Sequence, residues 1–242
     1  MDRGLYIAAS GMLTELARQD QIAGELANAS TPGYKADQSS QAAFGDMLLA
    51  NTATGQTIGS LPTGVGIAAT TTDMSQAPLQ QTGNALDLAL SGDGFFSVRT
   101  PQGVRYTRDG QLATNAQGQL VTATGYPVLD TKGQPIVLGA GGQSPQVASD
   151  GAVTVAGKSV GTIGVVSLQN PVKQGDTLFT GTAGARPKET TVVQGSLEGS
   201  GVNPADAMID MITSFRAYEA SQHVINAIDE TLSRAIDSAA SP

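Results

Sequence analysis

The hydrophobic pattern is most regular near the C-terminus of the chain. Large apolar residues recur there at alternating steps of three and four, with Gln222 and Asp229 as polar members of the row. This heptad spacing is typical of helices that pack lengthwise, and it predicts one long helix. Asn203-Pro204-Ala205-Asp206 marks its start, because Asn caps exposed backbone donors and Pro has no donor to leave unpaired. The row and its margin supply the expected interface residues Met208, Met211, Ile212, Phe215, Tyr218, Ile225 and Leu232.

A similar apolar row near the N-terminus predicts a second helix. Thr31-Pro32-Gly33 should end this helix, because the residue before a proline avoids the helical region and glycine turns freely. Neither helix can bury its apolar stripe alone, so each requires a partner. On this helix the expected interface residues are Leu5, Met12, Leu16, Ile22 and Leu26.

The pattern between the helices changes to strands and turns. From about Pro78 to Thr191, short alternating apolar runs are separated by turn pairs such as Asp93-Gly94, Asp109-Gly110, Gln117-Gly118 and Lys132-Gly133. Runs of this length joined by such turns predict an antiparallel all-β domain, built as a sandwich or an irregular barrel.

The preceding segment is less regular. Gln38–Met47 is predicted as a short helix, and Asn51–Thr63 as an exposed or partly disordered loop because it is rich in Thr, Gly, Ser and Gln. Alternation returns at Val65 and predicts a strand that runs to about Met74.

The predicted fold is therefore α+β: long N- and C-terminal helices form a coiled-coil stalk, and an antiparallel all-β domain is inserted between them. Residues 1–35 and 200–242 are expected to form the helical domain, 36–74 a variable extended or loop segment, and 75–199 the β-rich domain. One alternative stays open here: both helices are ordinary surface helices that pack on the central domain.

Composition and charge narrow the classes of function. Charged residues make up 14% of the 242 residues, the formal net charge is −8, and cysteine is absent. The missing cysteines exclude disulfides and thiolate metal sites. Basic residues occur singly, without the cluster that nucleic acid or an anionic membrane would require, and no window approaches the ~20 apolar residues of a membrane span. The N-terminal apolar run is broken by Ser10 and Gly11 and is not a typical cleaved signal.

Candidate catalytic and ligand-binding residues have simpler structural explanations. His223 is the only histidine and follows Glu219 by one helical turn, so a zinc site would need carboxylates alone to complete it. Gly92-Asp93-Gly94 precedes a strand pattern rather than a helix, which favours a turn over a phosphate site. The aspartates beside glycines are likewise explained by turns rather than by a glycosidase pair. The sequence therefore predicts no catalytic residue, no cofactor and no metal.

Several separated motifs stand out along the chain. In order they are Leu26-Ala27-Asn28 with Thr31-Pro32-Gly33-Tyr34-Lys35, Gly92-Asp93-Gly94-Phe95-Phe96, Tyr106-Thr107-Arg108-Asp109-Gly110, Gln194-Gly195-Ser196-Leu197-Glu198, and Arg216-Ala217-Tyr218-Glu219. Together and in this order they resemble the motifs of the flagellar basal-body rod protein family, which includes rod and hook proteins. Ser200-Gly201 departs from the usual Ser-Asn before Val202-Asn203. The residues that the resemblance assigns to family motifs are Asn28, Gly33, Tyr34, Gly92, Gly94, Phe95, Asn203, Arg216 and Glu219.

The resemblance implies a structural, non-enzymatic subunit of the bacterial flagellar rod. Such a subunit would polymerise helically with copies of itself into the axial drive shaft that transmits torque to the hook. Its other partners would be neighbouring rod and hook proteins and the flagellar type III export apparatus, which it would pass without a cleaved signal. The short chain and the start Met1-Asp2-Arg3 favour a proximal rod position, whereas the central and C-terminal motifs resemble the distal rod protein equally well.

Two other functions stay open from the residues alone. One is a secreted β-rich binding or adhesion module whose terminal helices pack on the module itself. The other is a cell-wall hydrolase that uses a pair of aspartates in the β domain.

Overall fold

The computed structural model describes residues 2–45, 47–50, 57–61, 63–139 and 144–240. These residues form two compact units. The helical unit comprises Met1–Ala27, Asp37–Thr72 and Asn203–Pro242, and the β-rich unit comprises Asn28–Ala36 and Asp73–Val202.

Two antiparallel helices form the larger part of the helical unit: α1 (Asp2–Ala27) and α2 (Pro204–Ala240). The Ser214 hydroxyl lies 2.7 Å from Oε2 of Glu15, and one turn further along α1 the Arg18 guanidinium lies 3.8 Å from the Asp210 carboxylate. The α2 partner moves towards the N-terminus as the α1 position moves towards the C-terminus, which defines the antiparallel direction. Gly11 brings the backbones close, since a Cβ there would lie 3.6 Å from Oγ of Ser221.

The predicted long coiled-coil stalk is wrong, although the α+β class is partly consistent with the structure. The chain has only two helices in its described residues, of 26 and 37 residues, and a large β-rich unit. Small and polar residues, among them Gly11 and Ser214, lie where the helices approach each other, whereas large residues such as Leu16 and Phe215 are exposed. A coiled coil requires the large apolar side chains of the predicted rows to interlock along the contact, whereas Leu16 and Phe215 of those rows are exposed.

A two-stranded antiparallel ribbon completes the helical unit. Strand β1 (Asp37–Phe44) pairs with β4 (Gly64–Thr72) to form this ribbon, and β2 (Met47–Ala50) pairs with β3 (Thr57–Leu61) in a second two-stranded sheet. The helix predicted over Gln38–Met47 is therefore wrong, because pairing with β4 supplies the backbone hydrogen bonds that a helix would have made locally. The loop predicted over Asn51–Thr63 is wrong for β3, and its residues 51–56 and 62 lie outside the described residues.

The β-rich unit is antiparallel, as predicted, and consists of several short sheets. The largest has the order β14-β7-β8-β16-β15. The strands are β5 (Leu79–Gln81), β6 (Leu88–Ser91), β7 (Phe95–Thr100), β8 (Gly103–Thr107), β9 (Leu112–Thr114), β10 (Leu120–Thr122), β11 (Gln146–Val147), β12 (Ala152–Val155), β13 (Lys158–Thr162), β14 (Val165–Val166), β15 (Leu168–Lys173), β16 (Leu178–Ala183), β17 (Thr191–Gln194) and β18 (Ser196–Glu198).

The core of this unit is aliphatic, with few rings. Phe96, Val98 and Ile163 are completely buried, and the surrounding core residues are mostly Leu and Val. Turn glycines let the short strands reverse: Gly118 and Gly133, both in predicted turn pairs, have φ of 75° and 76°. A side chain would strain the backbone in that region, so glycine is the favoured residue at both turns.

Candidate assembly surfaces

Helix α2 starts where the sequence predicts. Oδ1 of Asn203 accepts a hydrogen bond from the backbone N–H of Ala205 at 3.1 Å, and its carbonyl oxygen accepts from Ala207 at 3.0 Å. The Asn203 side chain also donates to the Asp206 carboxylate at 2.7 Å. The predicted N-cap is therefore confirmed, and it defines the residue at which α2 starts.

The expected interface residues fall into two groups by exposure. Ile22 is buried and a second set is half-buried, consistent with packing inside the helical unit. Leu16, Met208, Ile212 and Phe215 are each about half exposed, at 47%, 51%, 54% and 52%. The half-buried set is Leu5, Met12, Leu26, Met211, Tyr218, Ile225 and Leu232.

The exposed residues share one side of the helix pair. Glu15 and Ser214 contact each other, and each following residue is rotated by about 100° about its own helix axis. In an antiparallel pair these two rotations lead to the same side, so Leu16 and Phe215 lie on a common face. Met12 and Leu5 lie four and eleven positions before Leu16, and these spacings return close to the same face. Ile212 and Met208 lie three and seven positions before Phe215 and return close to it in the same way. We call this surface the apolar face; it consists of the exposed residues Leu16, Met208, Ile212 and Phe215, together with the half-buried residues Leu5 and Met12 on the same side.

A second apolar surface is a groove between α1 and the ribbon. It has a volume of about 390 Å³ and is lined by small residues of α1 and by bulkier residues of both α1 and the ribbon. Tyr6 and Leu13 in the groove are 58% and 68% exposed. We call it the ribbon groove; it is lined by Tyr6, Ala9, Ser10, Leu13, Thr14, Ala17, Phe44, Val65 and Ile67.

Polar side chains of α1 hold the ribbon backbone in place. Oγ of Ser10 accepts a hydrogen bond from the N–H of Val65 at 3.2 Å, and the Thr14 hydroxyl lies 3.0 Å from the Val65 carbonyl oxygen. At the other end of the ribbon, Gln21 donates to the Asp37 carbonyl at 2.5 Å, and Glu25 accepts from the Asp37 N–H at 3.1 Å. Sequence reasoning missed these residues, although their spacing of four, seven and four residues is a helical signal.

A buried ionic cluster in the β-rich unit joins three of the sequence motifs. The Glu198 carboxylate accepts from Nζ of Lys35 at 2.6 Å and from the guanidinium of Arg108 at 3.1 Å. All three residues are at least 97% buried, with 1%, 1% and 3% exposure for Glu198, Lys35 and Arg108. Lys35 also donates to the Ser75 carbonyl, and the Ala77 N–H donates to the Glu198 carboxylate. The cluster therefore connects segments that are far apart in the chain.

Backbone contacts beside the cluster bring the incoming and outgoing segments of this unit together. The Gly33 N–H donates to the Glu198 carbonyl at 2.9 Å, and the Gly201 N–H donates to the Tyr34 carbonyl at 2.8 Å. Gly33 has φ of 67°, and a Cβ there would lie 2.4 Å from the carbonyl carbon of Arg108. The family-motif residue Gly33 thus permits a backbone contact that no other residue allows.

Burial shifts the pKa values of two titrating groups in this region. It lowers the pKa of Lys35, an effect opposed by the hydrogen bond and charge of Glu198. It raises the pKa of Asp109, which follows Arg108, against the hydrogen bond from the Gln111 backbone. The desolvation of a charged form explains both directions.

The other motif residues have structural positions too. Gly92 and Gly94 have φ of 104° and 135° in the turn before β7, and Phe95 is buried with its ring 5.3 Å from that of Phe179. Asn28 accepts a hydrogen bond from the Thr31 hydroxyl at 2.9 Å in the turn after α1. Arg216 and Glu219 are exposed on α2.

The described residues contain no group of three or more His, Asp or Glu residues arranged to hold a metal ion. Over the same part of the chain, neither helix is long and apolar enough to cross a membrane. The apolar face and the ribbon groove are exposed apolar surfaces of the helical unit, and such surfaces commonly mark sites where other proteins bind.

Comparison with known proteins identifies the family. Residues 5–35 match the family model described as flagella basal body rod protein, and residues 89–155 match the D1 domain of the flagellar hook protein FlgE/F/G. Residues 193–238 match the C-terminal region of the flagellar basal body rod FlgEFG proteins. The three matches cover most of α1, part of the β-rich unit and most of α2.

Curated relatives match over nearly the whole chain. The flagellar basal-body rod protein FlgF of Caulobacter vibrioides is 35% identical, over 90% of each chain. The flagellar basal-body rod protein FlgG of Bacillus subtilis is 34% identical, over 98% of this chain and 99% of the relative. FlgF of Escherichia coli is 33% identical over 97% of both. The chain therefore belongs to the flagellar basal-body rod protein family and is a structural subunit of the basal-body rod. The adhesion module that the sequence left open has no support in these matches.

Proposed function

We propose that this rod subunit polymerises with copies of itself, and that its apolar face is a contact between subunits in the rod. The exposure of that face carries the proposal. Met208, Ile212 and Phe215 lie on one side of the capped helix α2, and each is about half exposed. An apolar surface of this extent favours association, because burying it removes it from water.

The polymer would be the axial shaft that transmits torque to the hook. A contact between two different surfaces of one chain, repeated from subunit to subunit, gives an open helical filament rather than a closed ring when its rotation does not close. Neighbouring rod and hook proteins would be its partners at either end. We assign the chain no enzymatic step, because the family to which it belongs is structural.

Export through the flagellar type III apparatus, without a cleaved signal, is part of this proposal. Tyr6, Ala9 and Leu13 of α1 line the ribbon groove, so this segment is part of the folded helical unit. Cleavage after them would remove part of the helical unit. Mass spectrometry of the chain in assembled basal bodies tests this point, since an intact N-terminus is expected and a shortened one would contradict it.

Sedimentation of the purified chain over a range of concentrations tests the self-association. The Leu16→Asp variant should fold but lose association, because the change places a charge in the middle of the apolar face. Ala227→Asp is the matched control, since Ala227 is exposed on α2 and lies outside the apolar face. Equal association of the two variants, or a wild-type chain that stays monomeric, would contradict the proposal.

A further inference from the structure

The ribbon groove has the shape of a receptor for a helix. Four small residues of α1 leave room in the groove: Ala9, Ser10, Thr14 and Ala17. Bulkier residues lie beside them, Tyr6 and Leu13 on α1 and Phe44 and Ile67 on the ribbon, and the two ribbon residues are 44% and 39% exposed. Small residues between bulkier walls accept the ridge of a second helix. The hydrogen bonds of Ser10 and Thr14 to Val65 hold the two sides together, so the groove is preformed.

The chain carries a helix ridge that fits such a groove. Met208, Ile212 and Phe215 follow one another by four and three residues along α2, which is the anchor spacing of a helix that binds in an apolar groove. All three side chains are about half exposed within their own chain. The groove and the ridge share no residue, because the ridge is on α2 and the groove is formed by α1 with the ribbon.

We propose that the ribbon groove of one subunit binds the α2 ridge of a second copy, with Met208, Ile212 and Phe215 as the inserted side chains. This inference rests on the self-association proposed above and names the two surfaces that meet. Since they differ, the contact is head-to-tail, and each bound copy presents a free groove and a free ridge to the next. The ridge residues are among the sequence-predicted interface residues, whereas the groove was not predicted.

Mixing two defective variants tests the contact. Ala17→Trp fills the groove but leaves the ridge, and Ile212→Asp damages the ridge but leaves the groove. Each variant alone should lose association, and an equal mixture should form one-to-one pairs that grow no further. Ala220→Trp is the matched control, because Ala220 is exposed on α2 outside both surfaces, and it should associate as the wild type does.

The outcomes separate the two proposals. A wild-type chain that stays monomeric overturns the self-association and this contact together. A wild-type chain that associates while the mixture of variants stays monomeric overturns the groove-to-ridge contact and leaves the self-association standing.

Disulfide trapping provides a second measurement, which detects the contact directly. The chain has no cysteine, so any disulfide must form at introduced positions. A mixture of Leu13→Cys and Ile212→Cys chains should yield mainly mixed dimers on mild oxidation. Dimers formed equally by each variant on its own would overturn the contact, because they would indicate like surfaces facing each other.

Discussion

Removing the charge of Glu198 should lower the free energy of unfolding of the β-rich unit more than removing any other charge in that unit. The Glu198→Gln substitution keeps the size of the side chain but withdraws the only carboxylate in contact with Lys35 and Arg108 among the described residues. Two like charges then remain buried, with 1% and 3% exposure. The new amide NH₂ must also face a donor, whichever way it is oriented, because both carboxylate oxygens of Glu198 accept hydrogen bonds.

The expected loss is large compared with the stability of a domain. Removing one partner of a buried ion pair costs about 3–5 kcal/mol. The total free energy of unfolding of a typical domain is only about 5–15 kcal/mol. The matched control is Glu189→Gln, which makes the same chemical change at an exposed position and should alter the free energy of unfolding by no more than about 0.5 kcal/mol.

Hydrogen exchange in increasing urea provides the assay, read on the amides of β7 so that it reports on the β-rich unit alone. A double variant with Lys35→Met adds an internal check, because it removes one of the two stranded cations and should recover part of the loss. A loss below about 1 kcal/mol for Glu198→Gln, or one equal to that of Glu189→Gln, would refute this interpretation of the cluster.

Three further substitutions test the glycine contact at Gly33, the helix cap at Asn203 and the half-buried position Ile225. Gly33→Ala should destabilise the β-rich unit by more than about 1 kcal/mol in urea unfolding, because its Cβ would overlap the Arg108 backbone at a positive φ; an unchanged midpoint would contradict this. Asn203→Ala should cost about 1 kcal/mol and speed amide exchange in the first turn of α2, because the cap is lost; unchanged exchange there would refute the role of the cap. Ile225→Asp should destabilise the folded monomer by about 2 kcal/mol in thermal unfolding, because this position is half-buried; a loss of association with unchanged stability would instead place Ile225 between subunits.

Local signals in the sequence were sufficient where a feature depends on neighbouring residues. The cap at Asn203 and the turns at Gly118 and Gly133 follow from the chemistry of a few consecutive positions, and all three are confirmed. The antiparallel strands between Pro78 and Thr191 follow from the same kind of evidence, since each short run is bounded by its own turn residues.

The helix contact was harder to predict because periodicity shows that a stripe exists, not what covers it. The large residues of both rows suggested interlocking knobs, whereas the structure places Gly11 and Ser221 close together and exposes Leu16 and Phe215. The polar positions of α1 carried information that an apolar pattern ignores: Ser10 and Thr14 bind the ribbon.

Long-range pairing explains the remaining features that the sequence did not predict. Strand β1 is rich in Ser, Gln and Ala and has no strong strand pattern, so its conformation depends on β4, whose residues pair with it from Gly64 to Thr72. The partners in the ionic cluster lie even further apart, since Glu198 follows Lys35 by 163 residues and Arg108 by 90. No local window of sequence contains both halves of such a contact.

The presence of the ridge variant in assembled basal bodies would test the central claim most directly. Basal bodies would be isolated from cells that produce equal amounts of the wild-type, Ile212→Asp or Ala227→Asp chain, and the chain in the rod would be quantified by mass spectrometry. If the subunit assembles through its exposed apolar residues, the wild-type and Ala227→Asp chains should both be found in the rod. The Ile212→Asp chain should be depleted at least tenfold, which corresponds to a loss of about 1.4 kcal/mol or more in the free energy of association. Equal incorporation of all three chains would contradict the role of the apolar residues, and absence of the wild-type chain from the rod would contradict the function itself.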